Sequence, residues 1–315
     1  MKESIKELTA GATTTSDAGF NSIVTGVVGK VWLNELIEAA KKKMFFEQFA
    51  YVATCPKGNK DLAIPVFSSN LDFSITTTEA TTRVMTKIDN LTTVVFTPTT
   101  QKMGVEISSD VVRTSQVDTV KFAREQLVYD AALNIDAACN TILAADSTNT
   151  RIWGPGRASR ASLVAGDVLT TDIIANANAV LKALGWYPEP DKPFVLFISA
   201  TQESALLKDS QFVNASEYGG NEVVMNGEIG RYLGIKVIST QNIGSFSDGG
   251  GSTYAGHYVY LLKAKVAYGL VYGERPRLDF EYKKDQATYN VYLDMTYEAK
   301  ILQGNALQTI EVLDA

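Results

Sequence analysis

The chain has 315 residues, of which 45% are hydrophobic, 20% charged and 10% aromatic. A chain of that size buries roughly three quarters of its unfolded surface, so it needs neither metal nor disulfide to fold. Its formal net charge of −6 argues against a dedicated nucleic-acid binder, which carries a basic excess, and no apolar run reaches the ~18 residues of a membrane helix.

Residues 1–28 are rich in Thr, Ala, Gly and Ser. Such a segment buries too little to order itself, so it reads as an arm that is mobile alone and orders on assembly. Lys2 and Lys6 open it like a signal peptide, but polar residues 9–16 follow where an apolar core belongs, so the expected place of synthesis is a cytoplasm. A first helix is expected from Val31 to Gln48, with Trp32, Leu33, Leu36, Ile37, Ala40 and Met44 at helical spacing. Lys41, Lys42 and Lys43 complement the dipole at its C-terminal end.

Residues 51–110 change character. Short β-type runs span Leu62 to Phe67, Phe73 to Thr77, Thr93 to Thr97 and Met103 to Ser108. They read as a long β-hairpin with a polar, Thr-rich tip. A lone two-stranded ribbon is marginal in water, so this one is expected to lie on something else, such as a neighbouring subunit.

The strongest helix pattern covers 116–145. Val117, Val120, Ala123, Leu127, Ala131, Ile135, Ala138 and Ile142 step by three or four, with Lys121, Glu125, Asp130 and Asp136 off that stripe. Ser115, followed by Asp118, is the expected N-cap. A helix of about 45 Å acts as a strut. After Gly154-Pro155-Gly156 an α/β pattern begins: a helix from Asp172 to Leu184 closed by Gly185, a buried strand from Phe194 to Ile198, and a short helix capped by Ser199 and Gln202. A helical turn is expected over Gly227–Tyr232 and a strand from Ile235 to Ser239. Residues 248–252 form a glycine-rich loop tip. The remainder reads as strands at His257–Leu262, Leu278–Lys283, Ala287–Ala299 and Leu307–Leu313.

Patterns for chemistry are sparse. The one histidine, His257, opens a strand and reads as an ordinary polar residue rather than a catalytic base. Cys55 and Cys139 read as buried thiols, and with one His they cannot supply a zinc site. Gly29-Lys30 is followed by Val31, so no phosphate-binding loop forms. Gly154-x-Gly156 lacks the third glycine and preceding strand of a dinucleotide fingerprint. Asp279 and Glu281 share a strand face and suit glycoside hydrolysis in principle. Arg275, Arg277, Lys283 and Lys284 surround them, which fits a solvated or interface charge ladder better. No cofactor, metal or catalytic residue is expected, and the chain does not read as an enzyme.

Residues 193–273 carry a resemblance. Pro193-Phe-Val-Leu-Phe-Ile-Ser-Ala-Thr-Gln202, Leu206-Leu-Lys-Asp-Ser-Gln-Phe212, Gly227-Glu-Ile-Gly-Arg-Tyr-Leu-Gly-Ile-Lys-Val-Ile-Ser-Thr240 and Val259-Tyr-Leu-Leu-Lys-Ala-Lys-Val-Ala-Tyr-Gly269 follow in that order. The series resembles the major capsid (coat) proteins of tailed bacteriophages, with the Hong Kong 97-type fold. Gly227, Gly230, Gly234 and Gly269 are the motif's structural positions.

The resemblance implies an α+β fold with an N-terminal arm and first helix at 1–50 and an extended hairpin, the E-loop, at 51–110. A peripheral domain with a long spine helix would take 111–164 and 266–315, and an axial domain 165–265. It implies a structural protein that assembles into hexamers and pentamers of an icosahedral shell, built in a host cytoplasm around double-stranded DNA that it contacts weakly. Scaffolding, portal and decoration proteins would be the other partners, with no membrane. Glu79, Arg83, Lys87, Lys102 and Arg275 are the candidate inter-subunit contacts. An encapsulin-like compartment shell is the nearest alternative reading, and a polysaccharide-active or surface-binding protein using Asp279 and Glu281 a more remote one.

Overall fold

The structure is a computed structural model that describes residues 44–67, 91–115, 118–209, 231–247 and 255–314. The arm at 1–28, most of the helix expected at 31–48, the hairpin tip, the turn over 227–230 and the glycine loop at 248–252 lie outside the described residues. In chain order the elements are helix α1 (Phe46–Phe49), strands β1 (Tyr51–Thr54), β2 (Leu62–Phe67), β3 (Leu91–Phe96) and β4 (Thr99–Ser108), and helices α2 (Ser109–Thr114) and α3 (Thr119–Ala145). Then come β5 (Ile152–Trp153), α4 (Thr171–Ala183), β6 (Phe194–Ile198), α5 (Ala200–Lys208), β7 (Arg231–Tyr232), β8 (Ile235–Ser239), β9 (Ser245–Ser247), β10 (Ala255–Lys263), β11 (Tyr268–Lys283), β12 (Thr288–Ile301) and β13 (Leu307–Leu313).

Two sheets grip the long helix. A four-stranded sheet runs β1-β11-β12-β4, and a seven-stranded sheet runs β5-β13-β10-β6-β8-β7 with β9 beside β10. From α3, Leu127, Ala131, Ile135, Cys139 and Leu143 enter one core with Val291, Leu293 and Met295 of the first sheet and Val195, Phe197, Tyr260 and Leu262 of the second. The opposite face of the second sheet packs Phe194, Leu196, Ile198, Val259 and Leu261 against Ile173, Ile174, Ala177 and Leu181 of α4. Strand β6 therefore carries five consecutive apolar residues because both of its faces are covered.

Local chemistry sets the ends of these elements. Ser199 and Gln202 form the expected capping box on α5. Helix α4 closes with Gly185 at φ 84°, its N–H on Lys182 O and the Trp186 N–H on Leu181 O, a pairing that only a left-handed residue allows. Cys55 and Cys139 are free and buried.

Several expectations are corrected. Asp118, not Ser115, caps α3, its carboxylate accepting the Lys121 N–H at 3.0 Å, while Ser115 terminates α2. Asp136, placed off the apolar stripe, is 1% exposed. Arg231 and Tyr232, expected in a helical turn, pair with β8 as a strand. Tyr268–Arg277, read as no strand, is the inner part of the 16-residue β11. Leu307–Leu313, grouped by sequence with the returning strands, pairs with β10 and β5 in the seven-stranded sheet. Strand β4 pairs with β12 along its whole length instead of joining the hairpin, and β1 pairs with β11.

Candidate functional site

The described residues hold few constellations fit for chemistry. His257 Nδ1 lies 2.8 and 2.9 Å from the Asp314 carboxylate oxygens, and Thr201 Oγ1 donates to Asp314 Oδ1 at 2.8 Å. Ser199 Oγ is 2.8 Å from Thr201 Oγ1. The carboxylate sits between imidazole and hydroxyls, so the ring is not placed to take a hydroxyl proton, as a nucleophilic triad requires. The network ties the chain end to β10. Asp279 and Glu281 stand exposed on β11, with Arg277 2.7 Å from Asp279. They line no cleft. Among the described residues no three His, Cys, Asp or Glu side chains could hold a metal ion, and no helix is long and apolar enough to cross a membrane.

Among the described residues three carboxylates are buried, and each has a structural task. Glu311 receives Arg160 Nη2 at 2.6 Å, Trp153 Nε1 at 3.0 Å and Arg151. Burial pushes its carboxyl up, but the hydrogen bonds from Arg160 and Arg151 outweigh that and hold it below its ordinary range. Asp167 takes Arg157 Nε at 2.7 Å and the Val164 N–H at 2.8 Å. Asp136 differs. Its Oδ1 accepts the Phe45 and Phe46 N–H groups at 3.1 and 2.9 Å, its Oδ2 accepts Asn242 Nδ2 at 2.7 Å, and no ion pair reaches it among the described residues. Burial raises its carboxyl, with Glu47 adding to the rise, against the hydrogen bonds that lower it.

The hairpin is the more distinctive feature. Strands β2 and β3 pair antiparallel over six residues, Leu62 opposite Phe96 and Phe67 opposite Leu91. One face carries Leu62, Ile64, Val94 and Phe96, which pack with Cys55, Val271 and Leu302 at the root. The opposite face carries Ala63, Pro65, Phe67, Leu91, Thr93 and Val95. On it Phe67 is 54%, Leu91 50% and Val95 46% exposed. The ribbon is held by its backbone: Lys300 Nζ donates to Val95 O at 2.8 Å, Gln303 Nε2 to Phe67 O, and the Thr97 N–H to Glu298. An open groove of about 460 Å³ lies beside it, lined by Val66, Phe67, Leu184, Trp186, Val266 and Leu302.

The expected contact residues are scattered. Lys102 is exposed on β4 opposite Asp294. Arg275 is exposed on β11, its guanidinium 5.6 Å from the centre of the Tyr272 ring. These two stand toward opposite edges of one sheet. Glu79, Arg83 and Lys87 lie outside the described residues, as do Gly227 and Gly230. Gly234 has φ 79° in the turn between β7 and β8. Gly269 faces Leu302 and Phe96, each 3.1 Å from where a Cβ would stand, so it lets the hairpin root sit against β11. The sequence signal for the apolar hairpin face is the unbroken apolar run Leu62–Phe67, which puts apolar side chains on both faces of the strand.

The family described as phage capsid protein matches residues 91–299. No curated protein matches the sequence. Among solved structures the fold is similar to the capsid of Ralstonia phage GP4, with a TM-score of 0.71 and 17% identity over 96% of this chain and 99% of that one. It is similar to the acidic stable capsid structure of Helicobacter pylori bacteriophage KHP30, at TM-score 0.70 and 12% identity over 95% and 99% of the chains. The capsid of cyanophage P-SCSP1u aligns at TM-score 0.67 and 19% identity over 93% and 94%.

Proposed function

This chain belongs to the phage capsid protein family, its fold is of the Hong Kong 97 type, and from that premise we propose that its copies form the hexamers and pentamers of an icosahedral shell enclosing double-stranded DNA. It is a structural capsid protein of a virion, and the finer reading is that assembly takes place in the host cytoplasm with scaffolding, portal and decoration proteins. DNA is contacted weakly, since a net charge of −6 opposes tight phosphate binding.

The half-exposed apolar face of the β2–β3 ribbon carries the self-association reading. A six-residue ribbon anchored at its root, with Phe67, Leu91 and Val95 open to water, has its partner surface elsewhere, and a neighbouring copy supplies one. In this reading 1–50 is the arm and first helix, the extended hairpin of 51–110 is narrowed to the segment between β2 and β3, 111–164 with 266–315 up to β13 is the peripheral domain, and 165–265 is the axial domain. The pairing of β13 with β10 ties the chain end into the axial sheet. Glu79, Arg83, Lys87, Lys102 and Arg275 remain the proposed inter-subunit contacts, and Gly227, Gly230, Gly234 and Gly269 the structural motif positions.

Electron microscopy of the purified chain, paired with its mass in solution, tests the reading. Closed particles, or rings of five and six, support it, and nucleic acid inside them supports the virion role. A monomer or dimer that resists assembly when concentrated or mixed with a scaffold overturns it.

A further inference from the structure

Strand β11 loses its outer neighbour about a third of the way along. Strand β1 pairs only with residues 269–272. Pro56 follows it, and Gly58 at φ 91° turns the chain away. Beyond Tyr272, β11 is paired on one side only, with β12, through Glu274 and from Arg277 to Lys283. Among the described residues this is a bare sheet edge, and 273–282 are all exposed.

The side chains of that edge are ordered in a particular way. Leu278, Phe280 and Tyr282, between 40% and 47% exposed, follow one another on one face, where the Arg124 guanidinium of α3 lies 5.0 Å from the centre of the Phe280 ring. On the other face Arg277 and Asp279 stand two residues apart. Charges and a proline usually blunt an edge against pairing. Here their order favours one partner, because an antiparallel copy centred on Leu278 brings Arg277 opposite Asp279 and Asp279 opposite Arg277. Leu278 then meets its own counterpart, and Phe280 meets Pro276. Neighbouring registers fail. Centring on Arg277 or on Asp279 puts that charge opposite itself. Centring on Phe280 puts Arg277 opposite Lys283 and Asp279 opposite Glu281. Like charges directly opposed are destabilising.

We infer that the outer half of β11 is a contact between two copies of this chain, paired antiparallel about a two-fold axis at Leu278. The inference rests on the self-association proposed above and names one face that makes it. Half of three large side chains is about 250 Å² per copy, or some 500 Å² in all, well short of the ~1,200 Å² of a stable specific complex. The contact therefore works as one of several in an assembly and is weak alone.

Directly opposed residues of an antiparallel pair hold their Cβ atoms about 5 Å apart, near disulfide reach. Full-length Leu278→Cys is oxidised beside Phe280→Cys, whose two copies would stand about 13 Å apart along the strands. Both native cysteines are buried, so they do not compete. Leu278→Cys is expected to give disulfide-linked dimers and Phe280→Cys few. Adding Arg277→Asp to Leu278→Cys should lower the yield several-fold, and adding Asp279→Arg to both should restore it. The same samples are viewed by electron microscopy. Particles without Leu278-specific cross-links, or a yield that ignores the charge swap, overturn the edge pairing and leave shell assembly standing. Neither particles nor cross-links overturns both.

Discussion

Asp136 tests how the segment at Phe45 and Phe46 is fixed to the long helix. Its carboxylate meets two backbone N–H groups and one side-chain amide from segments 90 to 106 residues distant. Asp136→Ala takes their shared acceptor from three donors, the Phe46 N–H buried and the Phe45 N–H and Asn242 amide part-buried, at about 1–3 kcal/mol each before relaxation. Removing a buried charge without a cation offsets part of that, so a net loss of about 3 kcal/mol is expected. Asp136→Asn is the sharper variant. Both backbone N–H groups donate to Oδ1, and an amide oxygen there keeps them; only the Asn242 bond must rearrange. This variant should stay within about 1 kcal/mol of the parent at neutral pH.

The sign of the pH dependence follows from the raised carboxyl. The folded chain binds the proton more tightly than the unfolded chain, whose value is near 3.8. The ionised form therefore costs stability at neutral pH, and that cost is relieved as pH falls through the raised folded value toward the unfolded one. Urea unfolding of the soluble chain across that window, with hydrogen exchange read at the Phe45 and Phe46 amides, is the assay. The parent should gain on Asp136→Asn as pH falls. Equal losses in Asp136→Ala and Asp136→Asn at neutral pH, or a parent that loses ground to Asp136→Asn on acidification, would refute the reasoning.

Glu311 should behave in the opposite sense. Its lowered carboxyl contributes stability that is present above its unfolded value near 4.5 and lost as pH falls through the folded value. Glu311→Gln should cost about 3–5 kcal/mol at neutral pH by stranding two arginines, and should flatten the acid limb of the unfolding profile. Gly269→Ala places a methyl 3.1 Å from both Leu302 and Phe96; about 1–3 kcal/mol is expected, with faster hydrogen exchange in β2 and β3 than in β10. Phe67→Ser with Leu91→Ser removes exposed groups, so the unfolding midpoint of the free chain should hardly move while particle yield, counted by microscopy, falls; a large loss of stability with normal particles would count against a docking face.

Sequence pattern located the elements whose burial is one-sided or complete. The 3.6-residue stripe of α3, the apolar run of β6 and the capping box of α5 each encode their environment locally. Asp136 was misread because a carboxylate between apolar positions looks solvated; its three donors arrive from 90 residues away and leave no local trace. Residues 268–277 carry Gly269, Gly273 and Pro276, which resemble punctuation in a strand pattern, whereas Gly269 answers a close approach and Pro276 falls in an irregularity of the ladder. Partner choice was equally invisible: β4 and β13 have good strand patterns, and nothing in them tells which sheet they join. Of the candidate contacts, Lys102 and Arg275 lie toward opposite edges of one sheet, and neither belongs to the exposed apolar face of the β2–β3 ribbon.

The hairpin separates two tasks that a docking arm usually mixes. Its direction is set by bonds to its backbone at Val95, Thr97 and Phe67 and by the packing of its inner face, none of which involves the outer side chains. In the proposed docking, the affinity that the described part of the hairpin contributes resides in those outer side chains. About 250 Å² of apolar surface on Phe67, Leu91 and Val95 yields a gross ~6 kcal/mol at ~25 cal/mol per Å². Joining two free molecules costs an estimated 4–15 kcal/mol in lost motion, so one such contact holds no pair together. Within the proposed ring that cost would be shared by many contacts per subunit, and the same face would become decisive. If its copies form the proposed shell, a subunit built this way would stay dispersed when dilute and commit only when several neighbours close at once, which is the behaviour a shell needs if incomplete pieces are to come apart and reassemble.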